Sequence, residues 1–259
     1  MDEREVYLSV IVPAYNEASR IEMTLLRMQD FLSKKPYHWE IIVVSDGATD
    51  GTVNLVERLK RSIPQLRCID RKQNRGKGYT VREGILAATG RIRLFADADN
   101  ATDIAHFELM RPLFDQGADI VIASRDSKDA RGARQSIPQS PWKRVLGNMG
   151  NLYIQLLAVR GIWDTQCGFK AFRADAARKI FRVSRIDRWG FDIEALALAR
   201  HFGYNVRIIG VDWKNDEHSH VRMSAYLQVL WETTKIGWWI RARTYERQSH
   251  STNTHEKTV

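Results

Sequence analysis

Short apolar runs alternate with segments of helical periodicity along the first half of the chain. The runs LSVIVPAYN, WEIIVVSDG, LRCID, RIRLFAD and ADIVIASR have the length of strands and are largely apolar at consecutive positions, as strands buried on both faces are. Apolar residues at helical spacing follow the first run, at Ile21, Leu25, Met28 and Leu32. The alternation predicts an α/β fold with a mostly parallel central sheet flanked by helices.

The pattern changes after Ser124. Residues 125–141 are polar and basic, which predicts a mobile loop. Residues 142–160 have the pattern of a helix with one apolar face, and we expect this helix to lie at a membrane interface. A short strand in DTQCGFKAFRA, a helix in DIEALALARHFG, a strand in YNVRIIGVDW and a final interface helix in AYLQVLWETTKIGWWIRAR follow. We predict one domain over residues 1–243 and a disordered tail over residues 244–259.

Composition narrows the class of protein. The formal net charge is +9, which favours phosphate-rich partners or an anionic membrane surface. The sequence contains no recognisable nucleic-acid-binding module, so we do not expect a nucleic-acid partner. The two cysteines lack metal-ligand spacing, and no run reaches the length of a transmembrane helix. These features predict a cytoplasmic protein with at most peripheral contact to the cytoplasmic face of a membrane.

Polar side chains follow the apolar runs at the points where strands should end. Asn16, Asp46, Asp97 and Asp99 are the main examples, and ligands of open α/β sheets bind beyond the carboxyl ends of the strands. Two closely spaced carboxylates suit Mg²⁺ or Mn²⁺, which leaves open positions for the phosphates of a nucleotide. Each piece alone also fits ordinary turn chemistry. The glycine-rich NRGKG segment alone is equally compatible with a simple helix start.

Six segments together resemble the family 2 glycosyltransferases, which have the GT-A fold. They are VIVPAYNE, IIVVSDGATDGT, NRGKG, FADADNAT, GIWDTQCGFKAF and RWGFDIEALALA. Within that family the chain resembles the dolichyl-phosphate β-glucosyltransferases and, next to them, the dolichyl-phosphate mannose synthases. The resemblance implies inverting, metal-dependent transfer of a hexose, glucose from UDP-glucose in the first instance, onto a polyprenyl or dolichyl phosphate.

The resemblance also implies roles for individual residues. The residues expected to bind the nucleotide sugar are Pro13, Tyr15, Asn16, Glu17, Asp46, Arg75, Lys77, Asp97, Ala98, Asp99, Gln166, Lys170 and Trp189. Asp97 and Asp99 are the expected ligands of Mg²⁺ or Mn²⁺. The expected acceptor-phosphate residues are Arg125, Arg131, His220 and Arg222, and the expected catalytic residues are Asp99, Asp192 and Arg125.

Several alternatives stay open at this stage. The donor could be GDP-mannose with the same lipid acceptor. A sugar or protein hydroxyl as acceptor would require a general base, for which Asp192 is the candidate. The family's usual Asp-Asp-Gly-Ser reads Ser45-Asp46-Gly47-Ala48 here, which raises the possibility of a nucleotide-binding regulator without catalysis. The intact Asp97, Asp99 and Asp192 argue against that alternative.

Overall fold

The computed structural model describes residues 5–135, 141–213 and 223–246. In these ranges the strands are β1 (Leu8–Ala14), β2 (Trp39–Asp46), β3 (Leu66–Arg71), β4 (Ile92–Ala96), β5 (Ile120–Ser124), β6 (Arg134–Gln135), β7 (Phe169–Arg173), β8 (Val206–Gly210) and β9 (Asp212–Trp213). The helices are α1 (Ile21–Leu32), α2 (Thr52–Leu59), α3 (Lys77–Ala87), α4 (Phe107–Asp115), α5 (Pro141–Leu157), α6 (Ala174–Val183), α7 (Phe191–His201) and α8 (Met223–Arg241).

A seven-stranded sheet in the order β3-β2-β1-β4-β7-β5-β8 forms the centre of the molecule. The pairs β1-β2, β1-β4, β2-β3 and β5-β8 are parallel, whereas β7 runs antiparallel to both β4 and β5. The carboxyl ends of β1, β2, β4 and β5 therefore meet at one edge, together with the segment that leads into β7. The prediction of a mostly parallel sheet is confirmed, with β7 as its antiparallel member.

Helices cover both faces of this sheet because its central strands are apolar on both sides. All residues of β1, β2, β4 and β5 are buried. Side chains of one parity, such as Val10 and Val12, pack with α1, α2 and α4, while Ile11 packs with α3, α6 and α7. The continuous apolar runs of the sequence are thus explained by a sheet with a core on each face.

The structure adds one helix and one short strand to the sequence expectations and moves one boundary. The helix α6 was not predicted, because it is short and two of its five buried residues are alanines among charged positions. The predicted mobile loop 125–141 contains the strand β6, which pairs with β9, and residues 136–140 lie outside the described residues. Tyr245 is fully buried, and its hydroxyl donates to Glu194 at 2.7 Å. The folded part therefore extends past residue 243, and residues 247–259 lie outside the described residues.

The helices α5 and α8 pack together and leave an apolar face exposed. The Tyr153 hydroxyl and Thr234 Oγ1 join the two helices at 2.8 Å. We define the apolar face by its exposed side chains, which are Met149, Leu152, Leu156, Leu227, Trp231 and Trp238. Within the described ranges, no helix combines the length and apolar composition that a membrane span requires.

Candidate functional site

Asp46 ends β2 and fixes the loop before α3. Its buried carboxylate accepts hydrogen bonds from the backbone N–H groups of Arg75 (2.7 Å) and Gly76 (2.8 Å) and from the Arg71 guanidinium (2.7 Å). Gly76 has φ 103°, a conformation that favours glycine. Asp46 thus gives the NRGKG loop its shape, and its contact with a nucleotide stays a prediction.

The aspartate pair follows β4 directly and faces the first residue of α3. Lys77 Nζ lies 2.7 Å from Asp97 Oδ1, and Asp99 accepts from the Ala101 N–H at 2.9 Å. Burial, and then the charge of Asp97, raises the pKa of Asp99 above its ordinary value. Burial opposes the charge of Lys77, but Asp97 and Asp192 outweigh this effect and raise its pKa.

This arrangement fits a hard divalent cation. Asp97, Asp99 and Asp192 all act electrostatically on Lys77, so two closely spaced carboxylates, Asp97 and Asp99, share the ammonium group of Lys77. In the described part of the chain no three acidic, histidine or cysteine side chains are grouped to hold a metal. The protein would therefore supply two carboxylates, and a nucleotide and water the other ligands.

A second ion pair lies deeper in the same cleft. Lys170, in β7, and Asp192, in the first turn of α7, are both buried, and Lys170 Nζ lies 2.7 Å from Asp192 Oδ1. Lys170 also donates to the Cys167 carbonyl at 2.6 Å. Burial raises the pKa of Asp192, and the nearby Lys170 partly offsets this effect. Asp192 is therefore half of a buried ion pair.

The segment before β7 forms one wall of the aspartate site. A Cβ added at Gly168 would lie 2.0 Å from Asp97 Oδ2, so any side chain at this position would displace the Asp97 carboxylate. Gln166 Nε2 donates to the Trp189 carbonyl at 3.4 Å, and Lys77 Nζ lies 5.9 Å from the centre of the Trp189 ring. The structure thus brings together the predicted residues of the NRGKG, DADN, DTQCGFK and RWGFD segments.

The predicted residues of the first loop lie at the end of β1. Pro13 is buried within β1, and Tyr15 is exposed beside it. Asn16 has φ 55°, and its Oδ1 accepts from the Thr49 N–H at 2.8 Å. Glu17 pairs with Arg20. The contact between Asn16 and Thr49 joins the first loop to the segment after β2, which would form the far side of a nucleotide site.

Ala98 lies between the two aspartates of the pair. Its carbonyl accepts from Thr24 Oγ1 of α1 at 2.7 Å. This contact, with a buried hydroxyl, holds the turn that presents Asp97 and Asp99 against the helix α1.

Arg125 makes a bidentate ion pair with Asp164. Its Nε lies 2.7 Å and its Nη2 2.8 Å from the carboxylate, and its backbone N–H donates to Asp164 Oδ2 at 2.8 Å. Asp129 accepts from the backbone N–H groups of Trp163 and Asp164. Arg125 is therefore held in place by Asp164, and its contact with an acceptor phosphate stays a prediction.

Asp164→Asn is expected to lower the free energy of unfolding at pH 7 by about 1.5–3 kcal/mol, the usual worth of a hydrogen bond to a charged group. Burial opposes the ionisation of Asp164, but Arg125 holds its pKa below the ordinary value. Its stabilising effect is therefore present above the pKa of the unfolded chain and is lost as the pH falls through the folded pKa. Urea unfolding at pH 7 and in acid tests this, and an equal deficit at both pH values would contradict it.

The other acceptor candidates are less well defined. Arg131 is exposed at the turn before β6. His220 and Arg222 lie outside the described residues. Burial raises the pKa of the Cys167 thiol to about 12, so this cysteine is a buried structural group rather than a nucleophile.

Three buried carboxylates of this region were not predicted as supporting groups. Asp164 holds Arg125, Glu232 accepts from the Gly190 N–H at 2.7 Å, and Glu194 accepts from the Arg185 and Ile186 N–H groups at 2.8 and 2.9 Å. An acidic residue within an otherwise apolar stretch of a helix was the available signal for Glu194 and Glu232. Their partners are backbone N–H groups outside the helix that carries the carboxylate, which no periodicity in the sequence reveals.

Comparison with known proteins places this geometry in a family. Residues 9–181 match the model of "Glycosyl transferase family 2". The dolichyl-phosphate beta-glucosyltransferase of Dictyostelium discoideum is 37% identical over 89% of this chain and 74% of its own length. That of Drosophila melanogaster is 35% identical over 92% of this chain and 78% of its own length.

A solved structure shows the same fold at lower identity. It is glucosyl-3-phosphoglycerate synthase from Mycobacterium tuberculosis in complex with Mn²⁺, UDP-glucose and phosphoglyceric acid, with a TM-score of 0.64 and 18% identity over 90% of this chain and 80% of that chain. The expected GT-A architecture is thereby confirmed. With the family match and the relatives above 30% identity, the chain belongs to glycosyl transferase family 2 and is a glycosyltransferase.

Proposed function

We propose that this enzyme transfers glucose from UDP-glucose to dolichyl or another polyprenyl phosphate, with inversion at the anomeric carbon. The supporting observation is the acidic pair Asp97–Asp99 in one cleft with Lys77 and the Lys170–Asp192 pair. That cleft occurs in a chain whose similar relatives are named dolichyl-phosphate beta-glucosyltransferases.

Asp97 and Asp99 would hold Mg²⁺ or Mn²⁺. The bound cation would supply charge stabilisation for the departing diphosphate. Lys77 begins α3 beside Asp97, so its ammonium group and the N-terminus of this helix can meet the same phosphates. Asn16, Asp46 and Arg75 frame the side on which we place the nucleoside.

The transfer would depend on charged groups positioned around the donor and the acceptor rather than on removal of a proton by a base. A phosphate monoester is already anionic at neutral pH, so the acceptor oxygen can attack without a general base. Asp192 is paired with Lys170, which suits a role in orienting the donor sugar together with Gln166 and Trp189. Arg131, with His220, Arg222 and the Asp164-held Arg125, would meet the acceptor phosphate.

The apolar face of α5 and α8 would rest on the membrane that contains the lipid acceptor. Its side chains Leu227, Trp231 and Trp238 are 66%, 62% and 65% exposed, and aromatic residues favour the membrane–water interface. The free cysteines Cys68 and Cys167 are compatible with the reducing cytoplasmic side.

Replacing Leu227 and Trp231 with aspartate is expected to lower vesicle binding by about tenfold or more, because each change places a charge on a surface that must leave water. Co-sedimentation with phosphatidylcholine–phosphatidylglycerol vesicles measures the effect. Exchange of Met23 for aspartate, on the exposed side of α1, is the matched control. Equal loss in all variants would contradict a specific membrane face.

The function itself is tested with radiolabelled donors. Purified enzyme receives UDP-glucose or GDP-mannose, Mg²⁺ or Mn²⁺, and a polyprenyl phosphate in detergent, and the organic phase is counted. We expect label from UDP-glucose only, and β-configured product. If only GDP-mannose gives labelled lipid, the donor in the proposal is wrong and the acceptor is right. If the enzyme transfers sugar only to soluble hydroxyl acceptors, the proposed acceptor is wrong.

A further inference from the structure

The helix α8 has two faces with different surroundings. Leu227, Trp231 and Trp238 belong to the apolar face, whereas Val229, Glu232, Thr233 and Ile236 are buried against the body of the enzyme.

Glu232 is the charged member of the buried set. Its Oε1 accepts from Gln228 Nε2 at 2.9 Å, and its Oε2 accepts from the Gly190 N–H at 2.7 Å. A buried carboxylate is costly unless it is hydrogen-bonded, and these two contacts offset that cost.

Gly190 connects α8 to the cleft. It immediately precedes α7 and stands between Trp189 and the first helical turn, which carries Asp192. A Cβ at Gly190 would lie 2.8 Å from Glu232 Oε2 and 2.9 Å from Glu232 Cβ, so the carboxylate is in close contact with this backbone. A displacement of α8 therefore acts directly on the segment that carries Trp189.

The same segment also contacts the NRGKG loop. The Tyr79 N–H donates to the Asp187 carbonyl at 3.0 Å. Added Cβ atoms at Gly76 and Gly78 would each lie 2.6 Å from carbonyl oxygens of this segment. Residues 184–190 thus lie between α8 on one side and the start of α3 on the other, with Glu194 fixing their beginning.

We propose that Glu232 is a positioning residue that couples the apolar face of α8 to the donor-sugar side of the cleft. By holding the Gly190 N–H, it sets where Trp189 and the first turn of α7 stand relative to α8. Contact of the apolar face with a lipid surface would then tighten the sugar pocket. This inference rests on the proposed function for the identity of the donor and of the surface.

The test measures binding rather than turnover. UDP-glucose and UDP are titrated calorimetrically with Mn²⁺ into wild type, Glu232→Ala and Glu232→Gln, with and without phosphatidylcholine–phosphatidylglycerol vesicles.

Glutamine keeps an acceptor for the Gly190 N–H, so we expect Glu232→Gln to bind UDP-glucose like wild type. For Glu232→Ala we expect UDP-glucose affinity to fall about tenfold and UDP affinity to change less than about twofold. Vesicles should tighten UDP-glucose binding to wild type, but not to Glu232→Ala, although both bind vesicles equally.

Thr234→Ala is the matched control, because it removes the α5–α8 hydrogen bond and leaves Gly190 untouched. Glu232→Asp, which shortens the side chain and keeps the charge, replaces Glu232→Ala if that variant does not fold. Equal losses for UDP and UDP-glucose, a glutamine variant as weak as the alanine variant, or a vesicle effect that survives in Glu232→Ala would each overturn the coupling. A wild type that binds neither UDP-glucose nor vesicles would instead overturn the proposed function.

Discussion

Asp99→Ala is expected to reduce sugar transfer by about 10³-fold, the scale of loss when one preorganised group that stabilises developing charge is removed. Asp99 and Asp97 are the carboxylates at the carboxyl end of β4, and the proposed cation has no third acidic ligand among the described residues. Its loss should also weaken Mn²⁺ binding, which electron paramagnetic resonance measures without any turnover.

The same variant should fold normally. Burial and the charge of Asp97 raise the pKa of Asp99, so its ionised form opposes folding at pH 7 when no cation is bound, and removing it should leave Tm unchanged or slightly higher. Asp103→Ala is the matched control, because Asp103 is an exposed acidic residue nearby that accepts from the Ala105 N–H at 2.8 Å. Transfer by Asp99→Ala within about tenfold of wild type would exclude Asp99 as a metal ligand.

Lys170→Met is expected to lower the free energy of unfolding by about 3–5 kcal/mol, because it leaves the Asp192 carboxylate buried without its ammonium partner. Lys170 is completely buried between β4 and β5, and its Nζ bonds Asp192 and the Cys167 carbonyl. Urea unfolding measures the loss. The double variant Lys170→Met with Asp192→Leu should recover much of the stability, because it removes both charges, but none of the activity.

The sign of the pH dependence separates this explanation from a simple packing defect. The pKa of Asp192 is already raised by burial, and without Lys170 it should rise further. A carboxyl with a folded-state pKa above its unfolded value opposes folding while ionised, so Lys170→Met should regain stability as the pH falls through the raised pKa. A deficit that is constant from neutral to acidic pH would contradict the ion-pair explanation.

The order of apolar and polar residues within short segments predicted most of the strands and helices. The runs ending at Ala14, Asp46, Ala96 and Ser124 are recognisable because a strand buried on both faces must be apolar at consecutive positions. The direction of β7 was not predictable from its composition, since parallel and antiparallel central strands bury the same side chains. The helix α6 was missed because it is only 10 residues long and two of its five buried residues are alanines, which contribute little to an apolar pattern.

The site was predictable where its residues are adjacent in sequence. Asp97 and Asp99 can be recognised from their spacing after a strand, and the structure places Lys77 beside them. The carboxylate that pairs with Arg125 lies 39 residues away in the sequence, and the carboxylate that binds the Gly190 N–H lies 42 residues away. Such long-range pairs depend on the assembled fold, so the sequence did not reveal the partner of Asp164 or of Glu232.

The position of β7 has a consequence for the order in which the molecule assembles. The strands β3, β2, β1 and β4 come from the first part of the chain, whereas β7 must insert between β4 and β5 after residue 173 has been synthesised. Until then one side of β4 is an unpaired edge, exposed to pairing with other chains. Gly168 and Lys170 reach the aspartate site with β7, so the long-range pairing that closes this edge also completes the cleft.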